Sequence, residues 1–520
     1  MKKTFAVIAA VLFVLSFAAS AFAIHAEIPA ETQAIVAKGG TQITLGGEIR
    51  VRGWYFNNFG DVYGAYWDSY NHHWDGGPTL LGQKFGTETN DKAWYDQRVR
   101  LYVDAQVTPN VRGYVMLETQ AGTGNTQWDS TSDKYRWGNF NSHPSGIAIA
   151  EAWILYNGSG LFGFNSGLKI GHMPLKLGEG QFFDHTQLGD DAIVFFMDPT
   201  KELHIGLLTV KFAGDGNSGS TAYSPVLPFG QGSFLNSVPG NAGGWGGFAG
   251  WSSGAGNHLN NQDDLDGYVA LMTYKIDAKN TVGINYTYLN KSDIGFSLQD
   301  LGLHANGSID NFGYKAEVDF QFGKLFNGIS GLHSLDYKGW AVMLAGNYKF
   351  TPEFNLRGSF AYGSGDDELD DHDINTFIPF VGSVQNYTLI YEYLATTTAG
   401  GTGTGIANTT YYNLGMDYAA TKELSFGLDG YILRATKAWD SGISKSAGWE
   451  IDAKMKYQIA KNLTYQIDAG YFKPGQFYKD TLNRLTEVFV SQDWDGDSRK
   501  KTSETEKGIT VIRNMLTLSF

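Results

Sequence analysis

Arginine side chains recur at two-residue spacing in the first third of the chain. Arg50 and Arg52 form one pair, Arg98 and Arg100 form a second, and Arg112 follows in a third segment. This spacing puts side chains on one face of a strand, and neighbouring strands lie about 4.8 Å apart, so we expect the arginines to form a ladder. A guanidinium group stays charged at any physiological pH and can hold carboxylate or phosphate groups transiently. The pattern therefore indicates a positive electrostatic potential that attracts anions.

Acidic residues on the same predicted face support a second interpretation, in which the arginines and the acids neutralise one another on a water-facing wall. This interpretation is compatible with an attraction of anions. Across from the ladder the acids outnumber the cations, so the predicted wall is mixed in charge. The residues that we predict to line this inner face are Glu48, Arg50, Arg52, Asp96, Arg98, Arg100, Asp104, Arg112, Glu118, Lys315, Glu317, Asp319, Glu450, Asp452, Lys454, Lys456, Asp468 and Arg513.

Signals for other chemistry are weak. Acidic runs lie at 263–266, 366–373 and 493–497. They supply the oxygen ligands that Ca²⁺ prefers, but none has the spacing of a calcium-binding loop, and solvated charge is the favoured interpretation. His72, His73 and His185 have no partner at metal-ligand spacing, and no Ser/His/Asp set falls at convergent inward positions. The sequence therefore predicts no metal site, no cofactor and no enzyme.

Strict alternation of apolar and polar residues predicts the strands that position these side chains. The pattern is clearest at 314–322 and at 449–459. We place strands near 42–56, 92–107, 111–122, 146–157, 166–175, 190–198, 202–213, 264–276, 280–291, 298–308, 312–323, 338–350, 354–364, 409–418, 422–435, 448–459, 462–473 and 508–520. These make about 18 strands, or 16 if one hairpin is lost. Alternation alone also fits a soluble β-sandwich.

Connections alternate between short and long, which is typical of an antiparallel up-and-down barrel with short periplasmic turns and long external loops. The long loops fall near 57–91, 123–145, 214–262, 365–408 and 475–506. A barrel of this size is too wide for side chains to fill, so we expect a water-filled lumen. The loop at 214–262 carries Trp245, Phe248 and Trp251, which could stack on sugars or belong to a plug.

The two ends of the chain predict export to a membrane. Residues 1–23 have the basic start, apolar stretch and small-residue cleavage site of a signal peptide. Residues 24–40 are then a periplasmic N-terminal extension, and residues 41–520 form the barrel. The last strand ends at Phe520, which resembles the terminal aromatic residue of bacterial outer-membrane barrels. We therefore expect a multi-pass protein of the cell outer membrane, in a Gram-negative cell.

Composition agrees with this class of protein. Hydrophobic residues make up 42% of the chain and charged residues 18%, as expected when half of each strand faces water. Aromatic residues make up 14%, which suits interfacial girdles. The chain has no cysteine, which excludes disulfides and attachment of a c-type haem. The formal charge of −14 argues against nucleic acid as a partner.

Three short stretches resemble the alginate export family of outer-membrane porins. They are Leu168–Gly178, Tyr314–Gly323 and Leu356–Asp366, the last continuing to Asn375-Thr-Phe377. The resemblance implies an 18-stranded monomeric barrel whose arginines, matched here by Arg50, Arg98, Arg100 and Arg112, carry a polyuronate. His172-Met173 departs from the Arg-Gln of that family.

The function that the sequence favours is a porin for small hydrophilic or charged solutes. One alternative is a dedicated exporter of an anionic, alginate-like exopolysaccharide, and another is a barrel that sheathes a periplasmic electron-transfer partner. The expected partners are outer-membrane lipids, lipopolysaccharide, the barrel assembly machinery, and a small solute or polysaccharide as cargo.

Overall fold

Eighteen antiparallel strands form a closed barrel in the computed structural model. The structure describes residues 40–58, 65–68, 73–77, 92–118, 148–159, 163–186, 189–213, 265–292, 295–328, 333–368, 371–380, 387–394, 405–438, 440–481 and 508–520. The strands are β1 Gln42–Asn57, β2 Lys92–Thr108, β3 Val111–Glu118, β4 Ala148–Gly158, β5 Asn165–Met173, β6 Asp190–Asp198, β7 Leu203–Ala213, β8 Leu265–Lys275, β9 Thr281–Lys291, β10 Phe296–Ile309, β11 Phe312–Leu325, β12 Trp340–Lys349, β13 Phe354–Gly363, β14 Thr409–Ala419, β15 Leu424–Ala435, β16 Ser446–Ala460, β17 Leu463–Pro474 and β18 Ile509–Ser519.

The barrel closes because its first and last strands pair. In β1, Arg50 lies opposite Arg98 of β2 on one side and opposite Thr517 of β18 on the other. This closure confirms the predicted all-β, up-and-down barrel of eighteen strands and is incompatible with the sandwich alternative. The two strands with the weakest alternation, near 190–198 and 298–308, are both present as β6 and β10.

The outer face of the barrel is apolar. Large hydrophobic side chains there are strongly exposed, with 65% exposure at both Ile154 and Leu414 and 49% at Leu101. The alternate residues carry the arginines, lysines and acids and point inward. Such a belt of exposed apolar residues around a polar interior suits a barrel surrounded by lipid, where every strand has a hydrogen-bonding neighbour on each side.

Several short elements lie between the barrel strands and were not predicted. They are the strands Ala65–Asp68, His73–Gly77, Leu335–Tyr337 and Asp373–Ile374, and the helix α1 Tyr391–Leu394. Among the described residues, no helix has the length and apolar character needed to span a membrane.

Some predictions lie outside the described residues. They include the signal peptide at 1–23, all but residue 40 of the extension at 24–40, and most of the loops at 57–91, 123–145, 214–262 and 475–506. The assignments of these segments stay predictions.

The terminal residue closes the seam of the barrel. The Phe520 N–H donates to the Gly47 carbonyl at 3.0 Å, and the Gly47 N–H donates to the Phe520 carbonyl at 2.7 Å. The ring of Phe520 is 53% exposed, so its loss opens no cavity in the interior.

We expect deletion of Phe520 to lower the amount of assembled barrel without changing the conductance of the barrels that do assemble. Two seam hydrogen bonds, each contributing about 0.5–1.5 kcal/mol, and the terminal aromatic ring are lost together. The measurement is the folded, heat-modifiable band in outer-membrane fractions, combined with single-channel conductance. Phe520→Tyr keeps the ring and the hydrogen bonds and should assemble normally. Equal assembly of the deletion variant would show that Phe520 has no role in insertion.

Candidate functional site: the inner wall of the barrel

The central arginines of the ladder lie on the inner face of β2, and each is paired with an acid on a neighbouring strand. Arg98 Nη2 donates to Glu48 Oε1 at 2.6 Å, and Arg98 Nε donates to the same oxygen at 3.0 Å. Arg100 Nε donates to Glu118 Oε2 at 2.5 Å. Arg98 is 7% exposed, so it contributes little open surface. In these two pairs the charges satisfy each other, as the second interpretation of the sequence expects.

The same wall continues on β3 with a more exposed arginine. Arg112 donates to both carboxylate oxygens of Asp104, at 2.8 and 2.6 Å. Its guanidinium carbon also lies 5.4 Å from the centre of the Trp153 ring, and Lys169 Nζ lies 4.1 Å from that centre. Tyr114 stacks on Trp153 with ring centres 5.1 Å apart. The sequence analysis did not single out Trp153 or Lys169, although the alternation of β4 and β5 places both inward.

The wall extends to β1, β16, β17 and β18 on the other side of the ladder. Arg52 lies over the Trp54 ring at 5.1 Å and is buried. Arg513 Nη2 donates to Asp468 Oδ2 at 2.6 Å. Asp96 lies opposite Arg52 in register, but its side chain is outside those described.

Two lysines stand out on the inner face of β16. Lys454 and Lys456 are both exposed, and the outward positions beside them carry Ile451 and Tyr457. In register, Lys454 lies opposite Asp468, whose carboxylate is held by an arginine of β18. The lysines therefore add positive charge that reaches water.

A hairpin between β5 and β6 folds into the barrel; we call residues 175–185 the inner hairpin. The Leu177 N–H donates to the Phe183 carbonyl at 3.1 Å, and the His185 N–H donates to the Leu175 carbonyl at 2.9 Å. The hairpin turns at Gly178, where φ is +53°. A Cβ atom at Gly178 would lie only 2.0 Å from Glu317 Oε1, so this close approach requires glycine.

Glu317 of β11 anchors the inner hairpin. Its Oε2 accepts the backbone N–H groups of Glu179 at 3.2 Å and of Gln181 at 3.1 Å, and Glu317 is 2% exposed. Glu179 in turn accepts hydrogen bonds from Lys315 at 2.8 Å and Asn306 at 2.6 Å. Burial raises the pKa of Glu179, but these two hydrogen bonds and the positive charges of Lys315 and Lys176 together outweigh it, so the pKa lies below its ordinary value. The carboxylate is therefore charged at neutral pH.

A second inward-folded part lies between β13 and β14; we call residues 387–394 the inner segment. The carboxylate of Glu450 accepts the N–H groups of Ile390 at 2.7 Å and of Tyr391 at 2.8 Å. Asp452 Oδ2 accepts the N–H of Leu389 at 3.1 Å. These two acids of β16 therefore bind backbone instead of facing an open lumen.

The acids predicted to line the wall opposite the ladder are largely covered. Glu317, Asp319 and Glu450 are 2%, 0% and 0% exposed. They lie on the inner face, as alternation predicts, but they do not present charge to open water. The sequence interpretation of a mixed wall thus needs correction, because alternation reports which face a residue is on and not what covers that face.

Sequence reasoning also missed a charged group on the inner face of β13. Arg357 donates to Asp417 at 3.0 Å and to Asp429 at 2.7 Å. Its position in the alternation of 354–364 could have identified it, since it shares parity with Ser359.

Only some of the histidine and acidic-loop candidates lie among the described residues. In the part of the chain that the structure describes, no three His, Asp or Glu side chains are close enough to hold a metal ion. His185 is fully buried, and its Nδ1 lies 2.9 Å from Asp190 Oδ1. Asp366 accepts backbone N–H groups of its own loop. The side chains of His72 and His73, and the run 493–497, fall outside the described set.

Comparison with known proteins gives one family match. A family model described as a porin subfamily matches residues 244–505. No curated protein matches the sequence.

Solved structures from Pseudomonas aeruginosa have a similar fold. OpdK, solved with vanillate, is 10% identical with a TM-score of 0.50, and the match covers 92% of this chain and 98% of that one. OccK9 (OpdG) and OccK2 (OpdF) are each 12% identical with a TM-score of 0.50 and the same coverage. At this identity the likeness concerns the fold alone.

The family match contradicts the resemblance to the alginate export family. That resemblance depended on three short stretches, one of which, Leu168–Gly178, lies outside the residues that the porin model matches. Alternating strands that end in glycine recur in any large barrel, because strand and turn geometry impose them. The assignment to the alginate export family is therefore wrong.

Proposed function

Because this chain belongs to the porin subfamily whose model matches residues 244–505, we propose that its channel prefers small anionic solutes. The protein is an outer-membrane porin with a water-filled channel for small solutes, and it is not an enzyme. The comparisons support neither the polysaccharide exporter nor the sheath for an electron-transfer partner. The family match does not specify the charge of the solute, and the preference for anions is our proposal.

One observation carries this proposal: two lysines of the inner wall reach water, while many of the acids are covered. Lys454 and Lys456 are exposed, and Arg112 is half-buried beside Asp104, whereas Glu317 and Glu450 are held by backbone N–H groups and are almost completely buried. A solute in the lumen therefore meets more positive than negative charge. Exposed guanidinium and ammonium groups attract carboxylates and phosphates, and the protein walls reduce the screening by water.

The proposal also includes the surroundings of the barrel. Outer-membrane lipids and lipopolysaccharide would contact the apolar outer face, and the assembly machinery would recognise the strand that ends at Phe520.

Reversal potentials across a planar bilayer test the preference for anions. Under a potassium chloride gradient at low ionic strength, we expect the wild-type channel to be more permeable to chloride than to potassium. Lys454→Gln with Lys456→Gln should lower that ratio, because two exposed positive charges leave the wall.

The matched control removes two exposed lysines that lie in turns at the end of the barrel. Lys201→Gln with Lys279→Gln changes the net charge by the same amount and should leave the reversal potential unchanged. A cation-selective wild-type channel would contradict the proposal.

A further inference from the structure

Four polar side chains lie at neighbouring positions on the inner face of β9, β10 and β11. We call Asn285, Thr287, Asp300 and Asp319 the buried polar cluster; they are 2%, 2%, 0% and 0% exposed. Among the described residues, no hydrogen-bond partner is found for either amide atom of Asn285, for Thr287 Oγ1, for Asp300 Oδ1 or for either carboxylate oxygen of Asp319. Buried polar atoms in proteins are normally hydrogen-bonded, so the cluster requires an explanation.

Two of these side chains, Asn285 and Asp319, converge on the space above Gly302. In register, Gly302 of β10 lies between Asn285 of β9 and Asp319 of β11. A Cβ atom on Gly302 would lie 2.8 Å from Asp319 Oδ1, 2.9 Å from Asn285 Oδ1 and 2.6 Å from Asn285 Nδ2. Glycine therefore leaves a position that an amide and a carboxylate both approach, and rotation of the amide presents its oxygen there.

The negative charge of the two aspartates favours a cation at the position above Gly302. Asp300 and Asp319 are fully buried, and the nearby Lys315 is already bonded to Glu179. Burying carboxylates without a counter-charge is strongly unfavourable. Two carboxylates would neutralise one divalent ion, and the amide and hydroxyl oxygens add neutral ligands.

We propose that the buried polar cluster binds one Ca²⁺ ion. Calcium accepts six to eight oxygen ligands in a flexible geometry, and it accepts carboxylates, amide oxygens and water together. Magnesium fits less well, because it demands a strict octahedron and gives up its waters reluctantly.

The site lies where the inner hairpin and the loop residue Ile378 meet the wall. Glu317, two residues before Asp319, holds the inner hairpin. Gln321 lies beside Asp300 in register and exchanges two hydrogen bonds, both 2.8 Å, with the backbone of Ile378 in the loop that leads to the inner segment. A bound ion would therefore stiffen the surface to which these parts attach.

Isothermal titration of the folded, full-length protein with calcium chloride, after chelator treatment and buffer exchange, tests the proposal. We expect one equivalent of Ca²⁺ to bind the wild type and to raise its unfolding temperature. Asp319→Asn keeps the shape of the side chain but removes one charge, and Gly302→Ala fills the position itself. Both should lose that equivalent while still giving a heat-modifiable band.

The matched control is Asp417→Asn, which removes one inner-wall carboxylate outside the cluster and should keep the equivalent. The proposal is overturned if the wild type binds no calcium. It is equally overturned if folded Asp319→Asn and Gly302→Ala both bind calcium like the wild type.

Discussion

Replacing Arg98 and Arg100 by serine is expected to shift the channel towards cations. Both arginines are paired, so the substitution leaves the carboxylates of Glu48 and Glu118 without their partners. The wall loses two positive charges and exposes two negative ones. A change of about 1 kcal/mol in the local potential energy of an ion, which is modest for charges near a protein surface, changes a permeability ratio about fivefold. The measurement is the reversal potential at low ionic strength.

A fourfold variant provides the control. Adding Glu48→Gln and Glu118→Gln removes the exposed carboxylates and should reverse most of the shift. The double arginine variant should also be less stable than the wild type, because Arg98 is 7% exposed and its partner loses a part-buried ion pair. An unchanged reversal potential with normal conductance would place the selectivity elsewhere in the pore.

Release of the inner segment should have a comparably large effect, in this case on conductance. Glu450→Ala with Asp452→Ala removes the acceptors of three backbone N–H groups. A hydrogen bond contributes about 0.5–1.5 kcal/mol to stability, so the loss of three weakens the attachment of residues 387–394. We expect a larger single-channel conductance with more current noise, since the segment no longer stays against β16.

The control for this variant is Asp417→Ala, because Asp417 accepts hydrogen bonds from Asn355 and Arg357 of the wall itself. Its conductance should remain near that of the wild type. Glu450→Gln keeps one carbonyl acceptor and should give an intermediate value. If the double alanine variant is folded and conducts like the wild type, the inner segment does not narrow the pore.

Local sequence determined the barrel strands in detail. The segment at 190–198 becomes β6 with these same bounds, and the other strands differ from their predicted ends by a few residues. A strand between two neighbours exposes one face to lipid and the other to the lumen, so apolar and polar residues alternate along its sequence. The inward parity of Arg98, Lys454 and Glu450 follows from the same rule.

Tertiary structure alone decided what lies over that inner face. Gly178 meets Glu317, and Tyr391 meets Glu450, across long separations in sequence. The sequences of the inner hairpin and the inner segment have no alternation that shows whether they fold into the barrel or away from it. Their backbone groups bind to wall carboxylates instead of to a neighbouring strand. Alternation treats an acid in open water and an acid covered by N–H groups alike. The sequence thus determined the barrel and its inward residues, whereas only the packing of the loops decided which of their charges a solute meets.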